Sequence, residues 1–156
     1  MLARPKSTGI SIFTKSWARI CLFSCLLWSG CGRHAKPVIE FTRLPAAGEG
    51  GPDRLDTIEG TVRGTRPGER IVLYAKAGSV WWVQPLAIQP FTSIASDNTW
   101  KTSTHLGTEY AAVLVVPGYE PALTMRTLPI RSNGVSAVVS ASVGPGPATV
   151  NQTLKF

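Results

Sequence analysis

From Asp56 onward, apolar and polar residues alternate with a period of two, in short runs separated by Gly and Pro. In Thr57-Ile58-Glu59-Gly60-Thr61-Val62-Arg63, Ile58, Gly60 and Val62 share one face, and Thr57, Glu59, Thr61 and Arg63 share the other. Side chains alternate across a strand, so this spacing suits a half-buried strand and no helix. A turn over Gly64 to Gly68 leads into Arg70 to Ala77, where Ile71, Leu73 and Ala75 oppose Val72 and Tyr74. Apolar residues on both faces predict a central strand covered on both sides. Further strands are predicted at Val80-Trp81-Trp82-Val83, at a short segment from Trp100, at Tyr110 to Val116, and from Ser136 to Val143. Pro85 and Pro90 break up Gln84 to Phe91, Asp97-Asn98-Thr99 forms a turn, and Pro117-Gly118 ends the strongest strand. No segment has a capped helical period. The pattern predicts an all-β chain with a single antiparallel β-sandwich of about seven strands.

The region before this pattern differs in kind. Arg4, Lys6, Lys15 and Arg19 precede an apolar stretch from Ile20 to Trp28, and Ser29-Gly30-Cys31 follows. Basic residues, an apolar core and small residues in that order make a secretory signal. The apolar stretch falls short of the roughly 20 residues that span a bilayer. Ser29-Gly30-Cys31 resembles the lipobox of a bacterial lipoprotein signal, with Trp28 where that family usually has Leu. The resemblance implies lipidation at Cys31 and residence in the bacterial cell envelope, on the periplasmic or surface side. An ordinary signal cut near Ala35, giving a secreted form, and an uncleaved anchor are the alternatives. The expected organisation is a signal at 1–30, a flexible tether at 31–52, the sandwich at 53–143 and a ragged tail at 144–156. Within the tether, Val38-Ile39-Glu40-Phe41 reads as a short strand, either isolated or belonging to the domain.

Charge and cysteine content narrow the function classes. The chain of 156 residues has 16 Lys and Arg against 9 Asp and Glu. Four of the basic residues precede Cys31 and every acid follows it, leaving 12 against 9, a net charge of +3. No Lys/Arg cluster with interleaved aromatics remains, so no nucleic-acid partner is expected. Cys21 and Cys25 lie in the apolar stretch and no cysteine follows Cys31. The domain therefore depends on its core, without a disulfide or a catalytic thiolate. No His, Asp or Glu grouping has metal-site spacing, and neither a metal nor a cofactor is expected.

Two groups of motifs carry a second resemblance. One is Ile58-Glu59-Gly60-Thr61-Val62, Pro67-Gly68 and Ile71-Val72-Leu73-Tyr74. The other is Asp97-Asn98-Thr99-Trp100, Gly107-Thr108-Glu109-Tyr110-Ala111-Ala112-Val113-Leu114-Val115 and Gly118-Tyr119. The layout, over roughly Asp53 to Pro129, is similar to Ig-like and prealbumin-like accessory modules of bacterial envelope proteins, of the carboxypeptidase-regulatory-like type. The long insert from Trp81 to Phe91 departs from it. The segment from Tyr74 to Tyr110 looks more like a module of bacterial sensor proteins and carbohydrate-active enzymes. The resemblance implies a fold and an accessory, non-catalytic role.

Candidate site residues are few. Trp81 and Trp82 are adjacent and point to opposite faces of a strand, one into the core and one outward. An exposed Trp beside Gln84, Asn98 and His105 would form a sugar platform, a flat apolar face with a polar rim. The competing arrangement packs Trp82 with Trp100 inside the sandwich and leaves Trp81 to cap an end. Trp81, Trp82, Gln84, Trp100 and His105 are thus the candidate ligand-binding set. His105 reads as a hydrogen-bonding loop residue, or in the minor alternative as the base of a small hydrolase with a Ser and an Asp. No G-x-S-x-G elbow is present. Asp53, Asp56 and Glu59 read as solvated carboxylates, Gly48-Glu49-Gly50-Gly51 as linker, and Tyr119 as an aromatic anchoring its turn. The leading expectation is a non-catalytic, lipid-anchored envelope protein whose sandwich is a binding or structural module, with an envelope glycan or protein as candidate partner; the alternative is a carbohydrate-binding module using Trp81 or Trp82.

Overall fold

Two antiparallel sheets face each other across an apolar core. The computed structural model describes residues 36–144 and 151–155. The strands are β1 (Val38–Arg43), β2 (Leu55–Arg63), β3 (Arg70–Ala77), β4 (Val80–Gln84), β5 (Phe91–Thr92), β6 (Thr99–His105), β7 (Glu109–Val115), β8 (Thr124–Met125), β9 (Val135–Ser142) and β10 (Asn151–Lys155). The smaller sheet has the order β1-β2-β6. The larger runs β10-β9-β7-β3-β4-β8, with β5 also paired to β3. The predicted all-β sandwich is therefore present. The signal and Cys31 lie outside the described residues.

The alternation in β2 decides its packing. Ile58, Gly60 and Val62 are buried, as the period of two requires. They meet Ile39 and Phe41 of β1, Trp100 of β6, Ile71 and Leu73 of β3, and Tyr110, Ala112 and Leu114 of β7. Trp100 fills the centre, with Phe41 edge-on at a centroid distance of 5.7 Å. Gly60 makes room for it, because a Cβ there would lie 2.4 Å from the indole and 2.3 Å from the Glu40 carbonyl oxygen. Burying an aromatic of this size removes roughly 150–250 Å² from water, which favours folding by about 4–6 kcal/mol before entropy is counted.

β3 lies between β7 on one side and β4 and β5 on the other, and both of its faces are covered. Its Val72 and Tyr74 join Trp81, Val83, Ala111, Val113 and Val115 in a second core on the outer face of the larger sheet. The segment from Val116 to Gly134 closes that face. Leu128 packs into it, Tyr119 and Met125 flank it, and the Tyr74 hydroxyl donates to the Ala122 carbonyl oxygen at 3.1 Å. The Glu69 carboxylate, buried beneath the β2–β3 turn, accepts from the Arg66 amide at 2.7 Å and from the Ser136 hydroxyl.

Three segments differ from their simplest sequence reading. Val38–Arg43 is an edge strand of the smaller sheet, paired with β2 and with Ile39 and Phe41 in the core. Asn151–Lys155, read as ragged tail, pairs with β9. The strand that includes Trp100 runs for seven residues, Thr99–His105, along β2, so His105 ends a strand and does not lie in a loop.

Candidate functional site

β4 supplies two of the site residues through its alternation. Trp81 and Val83 point into the outer core, so Trp82 and Gln84 point to the face that the smaller sheet covers. That sheet ends at β6, and its cover over β4 is partial. Trp82 is 50% exposed, while Gln84 is buried under the end of β6.

Gln84 and His105 connect the two sheets. Gln84 Oε1 accepts from the His105 backbone amide at 2.9 Å and lies 2.8 Å from His105 Nδ1, and Gln84 Nε2 donates to the Trp82 carbonyl oxygen at 3.3 Å. The backbone amide can only donate, which identifies the facing side-chain atom as oxygen. An amide oxygen can only accept, so Nδ1 carries the ring proton in this contact. Nε2 is the ring nitrogen that Gln84 leaves unengaged. All of Gln84's polar atoms are used inside the protein, and it serves to fix the ring.

A groove of about 780 Å³ opens at this point, walled by Trp82, Leu86, Leu106 and Leu123, with Pro52 and His105 at its sides. None of its lining residues is Asp, Glu, Lys or Arg. A smaller hollow of about 360 Å³ continues past Gly50 and Ala77 to Lys76, Glu49 and Thr108. Lys76 is ion-paired with Glu109 there. An apolar trough of this size with a few polar groups is a common form of binding site.

The candidate residues separate into two groups. Trp82, Gln84 and His105 come together. Trp81 is 4% exposed and Trp100 is 2% exposed, each inside a different core, so neither can touch a ligand at the surface. The expected alternative of Trp82 packed on Trp100 is not found, since Trp100 packs on Phe41 and over Gly60. Asn98 lies at the opposite end of β6, beside Val62, with φ of 65° in its turn. Asp56 pairs with Arg43 at 3.4 Å. Glu59 pairs with Lys101 at 2.9 Å, and that hydrogen bond lowers its pKa from the ordinary value. The His105 ring is paired with an amide, where the hydrolase reading needs a serine hydroxyl and a carboxylate. Leu86, Leu106 and Leu123 were not among the sequence candidates. The uncharged stretch around Pro85 and Pro90 was the signal for Leu86, and it reads equally well as a strand breaker; Leu106 and Leu123 lie outside it.

No protein-family model matches the chain, and no curated protein or solved structure matches it significantly.

Proposed function

We propose that the protein is exported and lipid-anchored at Cys31 in the bacterial cell envelope, and that its sandwich is a non-catalytic binding module with its binding surface in the Trp82 groove. The order of basic residues, apolar stretch and Ser29-Gly30-Cys31 supports the location. The groove carries the binding assignment. A half-exposed indole stands in an uncharged trough whose one ionisable ring is clamped in place by a buried amide. Rigid aromatic surface of this kind binds with little loss of side-chain entropy.

Mass spectrometry of the mature N-terminus, with fractionation of cells expressing the full chain and its Cys31→Ser variant, tests the anchor. The expected result is a diacyl or triacyl mass on Cys31 and retention in the membrane fraction. An unmodified terminus downstream of Cys31 overturns it. For the binding surface, Trp82→Ala should reduce envelope association of the Cys31→Ser chain while lowering its unfolding midpoint only slightly. Equal association with and without Trp82 removes the groove from the proposal.

A carbohydrate-binding module is the second reading. Of the two adjacent tryptophans, Trp82 carries it, because its ring is the one at the surface, with His105 and Thr124 beside it. Co-sedimentation with insoluble envelope glycan, lost in Trp82→Ala and kept in Leu86→Ala, would favour it.

A further inference from the structure

Among the described residues, six large apolar side chains are exposed, and four of them converge. Trp82, Leu86 and Leu123 line the groove, and Ile88 stands beside it in the β4–β5 turn, 85% exposed. The turn is tight, with the Gln89 amide donating to the Leu86 carbonyl oxygen at 3.1 Å. No charged residue occurs from Ala77 to Ser96, or from Pro121 to Met125. A contiguous exposed apolar patch marks a site for a protein or a membrane.

We propose that this edge of the sandwich, with the Leu86-Ala87-Ile88 tip at its centre, rests in the surface of a lipid bilayer. The proposal rests on the reading of the Trp82 edge as the binding surface and names its partner. Two properties favour lipid over protein. The patch has no ionic side chain, whereas protein interfaces use a polar rim and Arg-rich surroundings to set register and specificity. Trp82 stands at the base of the tip, where an indole suits the headgroup region, and aliphatic Leu86 and Ile88 lie beyond it.

The test uses the full chain with Cys21, Cys25 and Cys31 changed to Ser, so that no acyl group can contribute. An environment-sensitive nitrobenzoxadiazole label is placed at Ile88→Cys or, as control, at Thr42→Cys on β1. Both positions are exposed, so the label leaves the core untouched. With phosphatidylcholine vesicles, the label at position 88 should brighten several-fold, shift to the blue and become protected from iodide. The response should persist at high salt, because no ion pair contributes. The label at position 42 should stay accessible, and Leu86→Asp should abolish the response at position 88 with the unfolding midpoint unchanged. Equal iodide access at both positions overturns the proposal. So does protection at position 88 by envelope protein extract but not by vesicles, which would assign the patch to a protein partner. Because this chain lacks Cys31, no acyl anchor contributes, and the label at position 42 reports any binding made through the apolar stretch at 20–28 alone.

Discussion

His105 donates its backbone amide to the same Gln84 oxygen that faces its ring nitrogen, at 2.9 and 2.8 Å, so one buried side chain sets both the end of β6 and the ring beside the groove. Gln84→Leu should destabilise the fold by about 1–3 kcal/mol, the usual cost of leaving a buried donor unmet. Imidazole nitrogen shifts by NMR should also change, from a ring fixed with the proton on Nδ1 to a mixture of tautomers. An unaltered tautomer in the variant would show that something else fixes the ring.

The adjacent tryptophans should respond in opposite ways. Trp81→Ala opens a cavity in the outer core and should cost about 3–5 kcal/mol. Trp82→Ala removes a half-exposed ring and should cost about 1 kcal/mol or less. Chemical denaturation of the two variants measures the contrast.

Gly60→Ala places a methyl group against both the Trp100 ring and the Glu40 carbonyl oxygen. Overpacking of this kind should cost about 1–3 kcal/mol. Trp100→Phe relieves the side-chain clash and leaves the backbone one. The double variant should therefore remain less stable than Trp100→Phe alone, as a denaturant-based double-mutant cycle would show.

Asp97 caps its turn by accepting from the Thr99 hydroxyl at 2.7 Å and the Thr99 amide at 3.0 Å. The hydroxyl bond foremost, with the amide bonds, holds its pKa below the ordinary value. A depressed folded-state pKa stabilises the fold above the unfolded carboxylate value, about 3.9, and that stabilisation is lost as pH falls through the folded value. The wild type should thus unfold at higher denaturant than Asp97→Ala at neutral pH. The gap should narrow in acid.

Tyr74 and Tyr110 have pKa values raised chiefly by burial. A raised folded-state value means that stability is fully present below the unfolded phenol value, about 10, and falls as pH rises above it. Alkaline unfolding should be shallower in Tyr74→Phe. That variant should lose about 1 kcal/mol at neutral pH with the bond to the Ala122 carbonyl.

Long-strand alternation is a local property, and for this reason β2, β3 and β7 could be read directly from sequence. Ile71, Val72, Leu73 and Tyr74 announce two covered faces because a strand with water on one side would waste alternate apolar residues. The fate of Trp81 and Trp82 was only half legible. Alternation assigns them to opposite faces, but the exposed one depends on how far β6 reaches over β4, which is a tertiary fact. The strand β8 and the groove wall at Leu123 left no periodic signal, since two residues are too few to establish one. Ile39 and Phe41 did alternate in β1, but Pro37 and the glycines at 48, 50 and 51 gave that region the composition of a tether. Gln84 and His105 were both visible as polar rim residues, while the hydrogen bonds that bury Gln84 against His105 were not, because 21 positions separate the two.

β7 is paired with β3 on one side and β9 on the other, and its residues alternate between the two cores. Solvent therefore has no local path to its backbone from above, below or either side. Its amide protons should exchange with deuterium only when the whole sandwich opens, so their rates report the global unfolding free energy. Fraying at β1 or β8 would leave them unchanged. β7 should therefore be among the best-protected strands, and damage to either core should be read there first.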